Sequence, residues 1–325
     1  MSTTGRIHNF GAGPAVLPLE VVEECRKSLP NLDNSGFGLI EISHRSQTFQ
    51  NIVDSSMEKL RRILSIPEDY TVLYLQGGAS LQFYMSALNL LRENEKVDFL
   101  VTGAWSQKSM KEANRIGDAS ARWDDTENGF ISIPKNGEYS VRKDSLYLHY
   151  TSNNTLFGTQ FHHLPDSNGK PRVLDASSDI MGVPLDVSAH DLIYAGAQKN
   201  LGPSGVTVVI LSPWAMQRVP NDLPTMLDYS VHSSKGSLFN TPNTFGIFVL
   251  DKVFSWVENN GGLEGAIARN RAKSDLLYEE LDRSDFWSPH ANKDSRSVMN
   301  VTWRLPNTEL EEKFLKESLD AGLGG

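Results

Sequence analysis

Short apolar runs constrain the fold of this chain more than any other feature of its sequence. They occupy residues 71–75, 97–102, 145–150, 171–175, 191–197 and 206–211, and each is followed by glycine, polar or turn-forming residues. Runs this short, rich in Val, Ile, Leu and Tyr, read as strands rather than helices. Helical spacing appears before and between them, as in Val53, Met57, Leu60 and Leu64, and again in Leu81, Met85, Leu88 and Leu91. This alternation predicts an α/β layered fold with a mostly parallel sheet flanked by helices. The run at 206–211 is almost wholly apolar, as expected of a strand buried on both faces. A chain of 325 residues is long enough for one large and one small domain.

Ligands in such sheets gather at the carboxyl ends of the strands. The residues expected there are Gly77, Gly78, Ala79 and Ser80 after the first run, Trp105 after the second, Thr155 after the third, Asp175 at the end of the fourth and Lys199 after the fifth. A lysine that closely follows a buried strand needs a partner or a chemical use, because ammonium groups are almost never fully buried otherwise. Taken singly, Lys199 could cap a surface loop and Trp105 could be a core residue; the argument is their convergence. The glycine turn at 76–80 matches neither the P-loop nor the dinucleotide fingerprint, but strand, glycine turn and helix together direct backbone N–H groups at one point, as phosphate binding requires.

The remaining stretches are read in order. Residues 9–15 form a glycine-rich opening loop whose backbone can approach something closely. Residues 19–29 are helical, and 31–38 are an exposed loop. His44 and Arg45 precede a helix and could clamp an anion, although such pairs are commonly solvated. Residues 124–136 are expected to make a short β excursion over the surface. The polar loop 233–244 contains Asn240 and Thr241, and helices are expected at 245–258 and 263–281. A strand is expected at 297–304, and a capping box from Thr308 to Glu311 opens a final helix. His162 and His163 lack ligand spacing, so no metal site is expected.

A net charge of -9 and a pI near 5.4 argue against a nucleic-acid-binding surface. Residues 1–6 lack the apolar core of a signal peptide, and no apolar run is long enough to span a bilayer, so no membrane partner is expected. One cysteine, Cys25, excludes an internal disulfide and agrees with a cytoplasmic location; it reads as a packing residue.

A strand-end lysine, an aspartate on another strand, a ring-stacking tryptophan and a glycine turn are the parts that pyridoxal 5'-phosphate requires: an amine for the Schiff base, a carboxylate for the pyridine nitrogen, a flat face and a phosphate cradle. The segments that carry these parts also carry a family resemblance. Asn9-Phe10 with Gly13-Pro14-Ala15, Glu41-Ile42-Ser43-His44-Arg45, Gln76-Gly77-Gly78, Thr102-Gly103-Ala104-Trp105-Ser106, Ala195-Gly196-Ala197-Gln198-Lys199-Asn200, Gly205 through Ile210, and Asn240-Thr241-Pro242 together resemble the phosphoserine aminotransferases, class-V, fold-type I enzymes. The resemblance runs from residue 9 to about residue 325. It implies a large cofactor-binding domain at 16–260, with 1–15 and 261–325 in a smaller α+β domain. It also implies a homodimer with shared active sites, and amino transfer from glutamate to 3-phosphohydroxypyruvate in serine biosynthesis.

By position, the resemblance implies that Lys199 is the Schiff-base residue, Asp175 the pyridine partner and Trp105 the stacking ring. Ala79, Ser80, Thr155 and Gln198 match cofactor contacts, and Asn240 and Thr241 match a pair reaching the neighbouring subunit's cofactor phosphate. Arg45, with His44 beside it, matches the substrate-carboxylate site. Two departures stand out. Gly11-Ala12 and Ser80 replace serines and an arginine found in some members, and the His-Arg, glycine-rich segment that usually follows Gly324-Gly325 is absent, leaving the small domain incomplete. The alternatives are another fold-type I enzyme, a truncated form with weakened substrate binding, or a non-catalytic α/β scaffold. Cys25 is poorly placed for a desulfurase nucleophile, and the intact Lys199, Asp175 and Trp105 argue against a scaffold.

Overall fold

The computed structural model describes residues 5–325; Met1–Thr4, part of the stretch read above as lacking a targeting core, lie outside the described residues. A 7-stranded sheet forms the centre. Its strands are β1 (Thr71–Leu75), β2 (Lys96–Val101), β3 (Asp118–Asp124), β4 (Ser145–Thr151), β5 (Arg172–Asp175), β6 (Leu192–Gly196) and β7 (Thr207–Leu211). Their spatial order is β1-β7-β6-β5-β4-β2-β3. Only β7 is reversed: Thr207 lies opposite both Leu75 and Gly196 in antiparallel pairings, while β6, β5, β4, β2 and β3 pair in parallel. The carboxyl ends of the six co-directional strands therefore lie along one edge of the sheet.

Side chains alternate between the two faces, as the two-residue period of a strand dictates. Tyr74, Tyr150, Ile193, Ala195 and Val208 pack on one side against α1 (Leu19–Ser28), α2 (Gln47–Leu64) and, further along the chain, the helix Thr244–Asn259. Leu75, Phe99, Tyr147, Tyr194 and Val209 pack on the other against α3 (Gly78–Leu90) and α4 (Ala104–Ala113). Each fully buried large side chain contributes about 1.5–3 kcal/mol. The short helices α5 (Pro213–Arg218) and α6 (Tyr229–Ser234) follow the sheet, and α6 reaches into the segment expected to be loop. Then come α7 (Thr244–Asn259), α8 (Gly262–Arg283) and α9 (Thr308–Asp320). Lys59 of α2 meets buried Asp251 of α7 at 2.5 Å, and Ser55 donates to the same carboxylate oxygen at 2.8 Å. Cys25 is buried in α1 as packing. Near the chain's two ends, His8–Asn9 pairs in parallel with Leu323–Gly324. Among the described residues no helix is long and apolar enough to cross a membrane.

Three expectations need correction. No β excursion forms at 125–136: the strand lies earlier, as the edge strand β3 ending at Asp124, and is followed only by a 3-10 turn at Thr126–Asn128. Its small and polar residues hide the strand pattern because an edge strand is only half covered. The strand expected at 297–304 is reduced to Trp303–Arg304, since Val298 N donates to Gln160 Oε1 and the N–H groups of Met299 and Asn300 donate to Ser297 Oγ, all at 2.9 Å, where a sheet neighbour would otherwise accept. The last helix is capped one residue earlier than expected: Asn307 Oδ1 accepts from Leu310 N at 2.9 Å, and the Glu311 carboxylate faces Arg304 at 3.2 Å.

Candidate active site

Lys199 lies in the turn between β6 and β7. The turn is braced by Ala15 N donating to Gln198 O at 2.8 Å, and a Cβ at Gly13 would stand 3.0 Å from Lys199 Cγ. The close backbone approach expected of the opening loop is therefore made to the lysine stem. The Gln198 side chain folds over Gly196, where a Cβ would lie 2.7 Å from its Oε1. Lys199 Nζ donates to Thr155 Oγ1 at 2.7 Å and lies 5.3 Å from the centroid of the Trp105 ring. Burial lowers the proton affinity of this amine, partly opposed by the negative charges of Asp175 and Asp179.

Asp175 ends β5 and is 3% exposed, so a carboxylate here requires fixed donors. Ser177 supplies two, its backbone N–H at 3.0 Å and its hydroxyl at 2.6 Å, both to Oδ1. No hydrogen bond from the described residues reaches Oδ2. Burial raises the carboxyl's proton affinity, opposed first by Lys199 and then by the Ser177 donors. Trp105 stands in the first turn of α4 rather than on the strand itself, and its indole Nε1–H is buried without a partner. Lys108, one turn further along α4, lies 4.6 Å from the centroid of the same ring.

Gly77 caps α3 in a left-handed conformation with φ 88°, and no side chain caps the helix. A Cβ at Gly77 would stand 2.5 Å from Leu81 Cδ2, which explains the glycine. The uncapped N–H groups of the first turn, from Gly78 through Ser80, are what a helix offers an anion. Gln76 Nε2 donates to Thr241 O at 3.1 Å, which sets the 240–242 loop beside this turn.

The structure thus brings Lys199, Thr155 and Trp105 into contact, with Asp175 near enough for its charge to act on the lysine. Ala79 and Ser80 open α3, and Asn240 and Thr241 lie beside Gln76. It does not bring His44 or exposed Arg45 to Lys199: they lie just before α2, whose cap is Ser46, and no side-chain hydrogen bond or ion pair joins them to the cluster. His162 donates to Arg296 O at 2.8 Å and His163 packs edge-on against Phe161, a structural use of both rings. Sequence reasoning gave no role to Ser177, two residues from the carboxylate it serves, or to buried Asp179, whose donors Ser152 and Gln160 reach it only in three dimensions. An unpartnered indole N–H, a half-bonded buried carboxylate, an uncapped helix start and a partly desolvated amine fit a flat, phosphate-bearing, carbonyl-derived ring with a basic nitrogen, as pyridoxal 5'-phosphate is.

The family description "Aminotransferase class-V" matches residues 7–323. The phosphoserine aminotransferase of Halalkalibacterium halodurans is 47% identical over 321 residues, covering 98% of this chain and 89% of the relative. That of Geobacillus kaustophilus is 48% identical over 321 residues, with the same coverage of 98% and 89%. Among solved structures, phosphoserine aminotransferase from Bacillus circulans subsp. alkalophilus superposes with a TM-score of 0.96 at 42% identity, covering 98% of this chain and 89% of that one. The PLP-bound phosphoserine aminotransferase from Trichomonas vaginalis gives a TM-score of 0.93 at 31% identity, covering 98% and 91%.

Proposed function

Since this chain belongs to the class-V aminotransferase family, we propose that it is a phosphoserine aminotransferase, using pyridoxal 5'-phosphate to move an amino group from glutamate to 3-phosphohydroxypyruvate, with O-phospho-L-serine and 2-oxoglutarate as products in serine biosynthesis. The observation that carries this reading is the placement of the Lys199 amine, 2.7 Å from Thr155 Oγ1 and against the Trp105 ring, within the field of buried Asp175. When bound, the cofactor supplies a carbonyl carbon that amines can attack and an electron sink for charge developing at the substrate α-carbon.

The residues divide the remaining work. Lys199 is the attacking amine, and burial favours its neutral, nucleophilic form. With cofactor and substrate bound, the same amine would take and hold the proton at the substrate α-carbon. Asp175, whose burial favours the neutral acid, would face the ring nitrogen and favour its protonated form. Trp105 supplies a flat face, Thr155 holds a polar ring substituent, Gln198 shapes the lysine turn, and the backbone N–H groups at Ala79 and Ser80 receive the phosphate.

Arg45, His44, Asn240 and Thr241 serve the site of a second copy in a homodimer. Arg45 is exposed and stands apart from the cluster of its own chain, which supports this assignment. The proposed division has a large domain at 16–260 and a smaller one built from 261–325 and the described residues before 16, and the pairing of His8–Asn9 with Leu323–Gly324 supports it. A cytoplasmic location agrees with the single cysteine. Borohydride reduction of the holoenzyme followed by peptide mass mapping tests the anchor: the cofactor mass should remain on the peptide carrying Lys199. Attachment to a different lysine would overturn the assignment.

A further inference from the structure

A second buried carboxylate stands behind the first. Asp179 is 1% exposed and lies four residues beyond Asp175 in the turn that follows β5. Both of its oxygens are engaged: Oδ1 accepts from Ser152 Oγ at 2.5 Å and Oδ2 from Gln160 Nε2 at 3.1 Å. Gln160, itself 1% exposed, uses its carbonyl to accept from Val298 N at 2.9 Å. Ser152 also donates through its backbone N–H to Asp175 O at 3.0 Å. Asp179 therefore ties together the segment after β4, the turn that carries Asp175, and the segment at 297–300. A parallel strut runs beside it, in which Asn153 Nδ2 donates to Ser178 Oγ at 2.8 Å and to Asn300 Oδ1 at 2.7 Å.

A purely structural joint does not need a carboxylate. A neutral amide could hold the same joint without the desolvation cost of a buried acid, its oxygen accepting from Gln160 and its N–H donating to Ser152 Oγ once that hydroxyl turns to Asp175 O, 3.3 Å away. The titratable groups that feel Asp179 are Asp175 on its own turn, Lys199 from the turn after β6, and Tyr150 from β4. Among the described residues no Lys or Arg is hydrogen-bonded to it or within ion-pair distance, so its charge acts on the site rather than being neutralised locally.

We propose that Asp179 is a positioning residue of the active site: it locks the turn that carries Asp175 and adds a second negative charge that holds the nitrogen of Lys199, once joined to the cofactor, in its protonated form. The inference rests on the reading of Lys199 as the cofactor anchor. Like charge from Asp179 also bears on Asp175, so the two carboxylates together favour a cation at the lysine end and at the ring nitrogen.

The test is a spectrophotometric titration of holoenzyme from about pH 6 to about pH 11, a range chosen to span loss of the proton from the lysine-bound nitrogen. In Asp179→Asn the midpoint should fall by about half a unit or more, because a nearby favourable charge has been removed. Ser152→Ala, which leaves the charge but removes one donor to it, should move the midpoint the same way by less, and it decides the matter should Asp179→Asn fail to fold. Midpoints unchanged in every variant that folds would reduce Asp179 to a structural joint and overturn the proposal. A wild-type holoenzyme with no lysine-bound absorbance would instead overturn the reading of Lys199 on which the proposal depends.

Discussion

Lys199 and Asp179 meet burial from opposite sides. Burial makes the amine easier to deprotonate and the carboxyl harder, and the negative charge of Asp179 partly offsets the effect on the amine. For Asp179 the consequence can be read in the apoenzyme. Burial first, with Asp175 adding to it, raises its pKa from 3.8 to about 6, against the donors Ser152 and Gln160. A raised native value means that the protonated acid is favoured on folding, so its stabilising contribution is complete below the unfolded value and is lost as pH rises through about 6. Between about pH 5 and about pH 7, wild-type apoenzyme should therefore lose on the order of 1 kcal/mol of unfolding free energy relative to Asp179→Asn. Urea titrations at both pH values measure this; a constant difference would contradict it. Lys199, Asp175, Thr155 and Trp105 were legible in the sequence because each follows an apolar run. Asp179 was not, since nothing local marks a hydrogen bond made across 19 or 27 residues, as Gln160 and Ser152 make to it; Ser177, only two residues from Asp175, was missed although the Asp-x-Ser spacing carries that turn.

At the scale of elements, the clearest patterns gave the clearest structure. The stripe Val53, Met57, Leu60 and Leu64 became α2, capped by Ser46 Oγ accepting from Phe49 N at 3.2 Å and closed at Ser65 in a left-handed conformation with φ 51°. The strands β1, β2, β4, β5, β6 and β7 were legible as apolar runs because both sheet faces are covered by helices. The edge strand β3 and the irregular segment 297–302 were not, because one is half exposed and the other satisfies its backbone with the side chains of Gln160 and Ser297. Since α2 follows directly on the Arg45 loop, its first turn fixes that loop. Ser46→Ala should cost about 1 kcal/mol in chemical denaturation. A change indistinguishable from zero would show that tertiary packing alone sets the helix start.

Lys199, Thr155, Trp105 and Asp175 gather at one sheet edge while exposed Arg45 lies just before α2, and in the homodimer proposed above a second copy would bring Arg45 to them. Their partner could be named from the resemblance, but no periodicity within one chain encodes a contact between two. If Arg45 serves the opposite site, Arg45→Ala and Lys199→Ala subunits, each inactive alone, should complement when refolded together. One site in each mixed dimer is then intact, so an equal mixture should recover about a quarter of wild-type activity. No recovery despite demonstrated mixed dimers would place Arg45 in its own chain's site. The central claim concerns the reaction itself. The most direct measurement is the absorbance of the holoenzyme during two successive additions, glutamate and then 3-phosphohydroxypyruvate. Glutamate should bleach the lysine-bound band and the phosphorylated keto acid should restore it, with O-phospho-L-serine formed in equal amount. Bound cofactor that glutamate leaves unchanged, or a bleached enzyme that the phosphorylated keto acid cannot restore, would contradict the account.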